Sequence, residues 1–60
     1  MCEFNVIFNG KTQAKDVIYA KEDGGKITVK NILGESWEFK NCKIIEVDVN
    51  NARLLIANTN

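Results

Sequence analysis

Histidine and proline are both missing from this chain, cysteine occurs only twice, and the charges cancel. Each absence removes a class of function. Without histidine, the commonest transition-metal ligand and the usual partner of a nucleophilic serine or cysteine are gone. The cysteines stand at positions 2 and 42, too few for a disulfide scaffold and without the C-x-x-C spacing of a structural zinc site. Eight basic residues are matched by eight acidic ones, and the lysines are scattered among carboxylates. Gripping a phosphate backbone calls for concentrated positive charge, so nucleic acid is disfavoured as a partner. No apolar run approaches the roughly 20 residues of a membrane-spanning helix, and no apolar signal region follows a basic start. The chain therefore reads as a cytoplasmic protein without a membrane partner, its thiols kept reduced. There is no phosphate loop, and Asp16, Glu22, Asp23, Glu35, Glu46 and Asp48 show no paired-acid spacing suited to general acid–base work. The reading is that it is not an enzyme.

Size sets the next limit. The 60 residues make one domain, 1–60. A chain this short buries only about 60% of the surface its unfolded form exposes, so its core is marginal alone. Small domains lean on disulfides, a metal or a partner subunit. With the first two supports poorly provided for, a homodimer is expected, since two-fold dimers are the commonest assemblies.

What is present is period-two alternation broken by turn signals. Cys2, Phe4, Val6 and Phe8 share one side of a first strand, with Glu3 and Asn5 on the other. Asn9-Gly10 is the strongest short hairpin signal, because both residues tolerate positive φ. The chain returns through Lys11 to Lys15, and Val17 to Glu22 forms the next strand with Ile18 and Ala20 inward and Tyr19 opposite. Asp23-Gly24-Gly25 turns it again, and Ile27 and Val29 alternate with lysine and threonine. Gly34 marks a corner, after which Trp37 and Phe39 face inward from a half-buried strand. Cys42 to Val49 follows, with Ile45, Val47 and Val49 on one side and Cys42 and Ile44 on the other. Asp48 is placed to bond the turn at Asn50-Asn51, Leu54 to Ala57 closes the fold, and 58–60 form a frayed tail. Six or seven short strands of this kind predict an all-β antiparallel barrel or sandwich. Apolar residues on both faces, among them Ile7, Tyr19, Ile44 and Leu55, again ask for a second subunit.

Cys2 carries two readings. It is a small apolar residue packing beside Phe4, as free cysteine commonly does, or it is a metal ligand. Cys42 reads as core. Trp37 and Phe39 read as core rather than as a base-stacking platform, and Tyr19 as a dimer contact.

The ordered set Asp16-Val17-Ile18, Glu22-Asp23-Gly24-Gly25, Leu33-Gly34-Glu35 and Ile44-Ile45-Glu46-Val47-Asp48-Val49, with the Met1-Cys2 start, resembles the CooT family of small nickel-binding proteins. The resemblance implies a homodimeric all-β fold of the SH3-like or Sm-like, partly open barrel kind. It implies Ni(II) binding through Cys2 and a metallochaperone or maturation role, with carbon monoxide dehydrogenase as the client enzyme. The chemistry of the residues is compatible. The Cys2 amide nitrogen and the Met1 amine lie within chelating reach of the Cys2 sulfur, and an amino group of pKa roughly 8 yields its proton to a metal near neutrality. Nitrogen donors in a plane with thiolate suit Ni(II) or Cu(II). One chain leaves the coordination incomplete, whereas two chains meeting on a two-fold axis double the donors. Two other readings stand beside this one: an Sm-like RNA-binding module, and a regulatory interaction dimer without a physiological metal.

Overall fold

The structure, a computed structural model, describes residues 3–59. All regular structure in it is β. The strands are β1 (Phe4–Phe8), β2 (Lys11–Asp23), β3 (Lys26–Asn31), β4 (Ser36–Lys40), β5 (Cys42–Asp48) and β6 (Arg53–Asn58). They form one sheet in the order β4-β3-β2-β1-β6-β5. The all-β barrel-like expectation holds, with one difference: β1 and β6 run parallel, so the sheet is mixed rather than antiparallel. The chain's first and last strands are brought side by side only after the intervening ones have gone round the sheet, and the direction of arrival is not written in either strand.

Two hairpins form where expected. Asn9 and Gly10 have φ of 53° and 75°, and they join Phe8 to Lys11, which pair across the ladder. Gly24 and Gly25 do the same between Asp23 and Lys26, with φ of 58° and 83°. These are the left-handed conformations that two-residue hairpin loops require.

The segments read as Lys11–Lys15 and Val17–Glu22 are a single 13-residue strand. Asp16 enters the left-handed region (φ 57°), and the β2–β3 register shifts between Val17 and Tyr19. A bulge bends the strand there without ending it. The first half of β2 pairs with β1 and the second half with β3, so β2 links the two parts of the sheet.

The sheet curls until its edges approach. β4 and β5 lie at opposite edges, yet only Asn41 (φ 57°) separates them in the chain. The Cys42 amide donates to the Gly25 carbonyl at 2.8 Å, and the Ile44 amide donates to Glu22 Oε1 at 2.6 Å. Beyond that corner no ladder joins β4 to β5 among the described residues, and the barrel stays partly open.

The concave side holds the core: Val6, Ala14, Val17, Ile27, Val29, Cys42, Leu54 and Ile56. Phe4, Phe8, Trp37, Phe39 and Ile44 pack against it. Each large aliphatic side chain so buried contributes about 1.5–3 kcal/mol. Trp37 and Phe39 sit opposite Val29 and Ile27 across the β3–β4 ladder, in keeping with their reading as core. The tail is not frayed as far as it is described. Asn58 belongs to β6, and Thr59 donates its amide (2.8 Å) and Oγ1 (3.3 Å) to the Asn41 carbonyl.

Candidate functional site

Met1 and Cys2, the residues read as metal donors, lie outside the described residues. Glu3 is exposed at the entry to β1. Among the described residues, no three Asp, Glu, His or Cys side chains come together as a metal cage. Cys42 is 4% exposed, its Sγ aimed at the Lys40 carbonyl (3.4 Å) and Asn58 Oδ1 (3.9 Å). It is a core thiol, as expected.

Phe4, at the start of β1, borders a concave feature. Phe4, Val17, Ile18, Ala20, Ile44, Val47 and Leu54, with Tyr19 at the side, line an apolar groove between β2 and β5. Its origin is the unequal length of the strands. β1 pairs with β2 only as far as Val17, so the second half of β2 has β3 on one side and no ladder partner on the other among the described residues. Glu22 bridges this seam to Ile44 at one end. Ile18 and Ala20, expected inside, therefore line an uncovered wall, and Ile18 is 47% exposed.

The face expected to unite Ile45, Val47 and Val49 is divided. The β5–β6 register shifts between Ile44 and Glu46, and the extra residue reverses the alternation. Val47 lands opposite Leu54 and joins the groove, whereas Ile45 joins Ile7 and Leu55 in a separate depression. Val47 and Ile45 are both more than half exposed. Tyr19 is exposed with Lys30 Nζ 5.3 Å from its ring centroid, a cation–π contact.

Two turns are braced by side chains, and only one of them was legible beforehand. Asp48 accepts from the Asn51 amide (3.2 Å), Asn51 Nδ2 (2.8 Å) and Arg53 Nη2 (3.3 Å). The Asn51 hydrogen bonds, aided by the Arg53 guanidinium, hold its carboxyl below the ordinary carboxylate value against an opposing effect of desolvation. The other brace is Asn31, a residue the sequence reading passed over. It is 7% exposed, its Oδ1 accepts from the Leu33 (3.0 Å) and Glu35 (2.9 Å) amides, and its Nδ2 donates to Glu35 Oε1 at 2.8 Å. An asparagine followed by an apolar pair and a glycine is the available signal, since its side chain can close a turn on the amide two residues ahead.

Compared with protein families, residues 1–57 match the model described as CO dehydrogenase accessory protein CooT. The chain belongs to the CooT family. This establishes an accessory role around carbon monoxide dehydrogenase rather than membership of a catalytic family. No curated protein matches the chain. The CooT match runs through the Met1-Cys2 start, both two-residue hairpin turns, the Asn31 turn and the groove. Among the described residues no helix is long and apolar enough to cross a membrane.

Proposed function

We propose that this CooT-family chain is a non-enzymatic nickel-binding accessory protein of the cytoplasm, a metallochaperone or nickel-site maturation factor. It acts as a homodimer holding one Ni(II) through the Cys2 thiolate and N-terminal backbone nitrogen, with Met1 contributing where its amine is free. The observation that carries the reading is the family match, which includes the Met1-Cys2 start. The donor set fits: thiolate with amide or amine nitrogen suits Ni(II), and a second chain supplies the donors that one chain lacks. The ion is cargo bound for a client enzyme.

The groove supports the dimer. An open wall of Ile18, Ala20 and Val47 continues the core to the surface, and a second copy seated there completes the burial that a 60-residue chain falls short of alone. Phe4 lines the same groove and stands two residues after Cys2 in the chain. An RNA-binding role has less behind it, because the basic residues are balanced by acidic ones and Trp37 and Phe39 pack against the core.

Titration of the reduced protein with Ni(II) tests the proposal. The expected result is about one ion per two chains, with thiolate-to-metal absorption that disappears in Cys2→Ser and persists in Cys42→Ser. Unchanged binding in Cys2→Ser would overturn it.

A further inference from the structure

The far half of β2 is a strand edge waiting for a neighbour. β1 accompanies β2 only to the pair Phe4 and Val17. Beyond it, Ile18 to Asp23 have β3 on one side and, among the described residues, no ladder on the other. Such an edge presents backbone N–H and C=O groups that another extended segment can take up. The groove beside it is apolar, with Ile18 and Ala20 on its β2 side and Ile44 and Val47 on its β5 side. Backbone pairing thus asks for an extended occupant, and the wall asks for a side chain of little polarity. A segment of this kind is already tethered at the spot. Met1, Cys2 and Glu3 directly precede Phe4, which itself lines the groove. A strand advances about 3.3 Å per residue, so three residues reach about 10 Å past Phe4, the same span as from Val17 to Ala20 on β2.

We infer that the residues before Phe4 extend β1 along the free edge of β2, and that the Cys2 side chain enters the groove beside Ala20. Parity fixes the side. Alternate residues of a strand face the same way, so Cys2 falls with Phe4 on the groove side and Glu3 falls on the other, where it is exposed. On β2 the register shift between Val17 and Tyr19 puts Ala20 opposite the buried Val29, and Ala20 lines the groove. Its methyl group is small enough to leave room for a thiol. A strand from a separate molecule pays the entropy of association, whereas one joined to Phe4 does not. The placement presents Cys2 from a strand and leaves the Val47 side of the groove to a second copy. It requires neither a metal nor a dimer, so it stands or falls apart from the nickel reading.

Disulfide trapping in the metal-free full chain tests it. Paired antiparallel strands hold facing Cα atoms about 4.5–5.5 Å apart, within the roughly 4.4–6.8 Å that a disulfide spans. In oxidised glutathione, Ala20→Cys is expected to bond to Cys2 of the same chain at least about tenfold faster than Lys11→Cys, a change at the opposite end of β2. Peptide mass mapping identifies the bond, and non-reducing electrophoresis separates a bond within one chain from a bond between two. Ile18→Cys supplies a second position, with circular dichroism showing each variant folded. In the unsubstituted protein, hydrogen exchange is expected to be slow at those Ile18–Ala20 amides that face away from β3. No bond to Cys2 in either folded variant, or a rate no higher than in Lys11→Cys, would overturn the inference. So would fast exchange at those amides, or bonds formed chiefly between chains, which would assign the free edge to another copy.

Discussion

Apolar side chains reach the surface for different reasons at the β2–β5 groove and at the β3–β4 turn. In the groove, Ile18 and Val47 are exposed because the barrel is not closed; they continue the core and want covering. At the turn, Leu33 is exposed although its backbone is fully braced, and the brace is polar and self-sufficient. One surface is unfinished and the other is complete and displayed. Exposure alone would have ranked them together; the hydrogen bonding underneath tells them apart.

The largest expected effect is on the unfinished surface. Placing a charge against the apolar wall in Val47→Glu is expected to weaken self-association by about a hundredfold, since a carboxylate cannot be buried there unpaired. Sedimentation equilibrium reads this, and an assembly state equal to wild type would remove the distinction between the two surfaces. Asn31→Ala comes next. It leaves the Leu33 and Glu35 amides without their acceptor, at an expected cost of about 2–3 kcal/mol in urea unfolding, with self-association unchanged. A loss below about 0.5 kcal/mol would mean the brace is dispensable.

The smallest effect sharpens the contrast with the second braced turn. Asparagine at 31 does not ionise, whereas Asp48 braces the β5–β6 turn as a carboxylate whose folded-state pKa is lowered, first by the Asn51 hydrogen bonds and then by Arg53. A lowered folded pKa means stability present above the unfolded value of about 3.9 and lost as pH falls through that value to the folded one. Melting temperature is therefore expected to drop modestly in Asp48→Asn at pH 7, with the difference from wild type vanishing in acid. A difference that persists undiminished below about pH 3 would assign the effect to shape rather than charge.

Much of the fold was readable because local chemistry decides it. Asn9-Gly10 and Gly24-Gly25 turn the chain wherever they occur, and alternation placed Val6, Ile27, Val29, Trp37 and Phe39 on the concave side. Asp48 announced its turn by its spacing to Asn51. The bulges at Asp16 and Ile45 did not announce themselves. Asp16 and Ile45 sit in runs that alternation alone carries straight through, and one added residue there reverses the side on which everything after it falls. For the candidate site, the core role of Cys42 was legible in its neighbours, whereas Cys2 lies outside the described residues. The groove was not legible, because it arises from β1 ending short of β2's far half, a relation between strands rather than a property of either.

Residue types and their spacing were thus enough to determine a small all-β chain with its hairpins and most of its core side chains in place. Only the tertiary structure decided that the first and last strands run parallel, that Glu22 reaches across to β5, and that the open seam lies beside Phe4. The physical reason is range. Turns and alternation are settled by neighbours a few residues apart, whereas closure depends on which edges meet after the sheet has curled, and no stretch of the chain carries that information by itself.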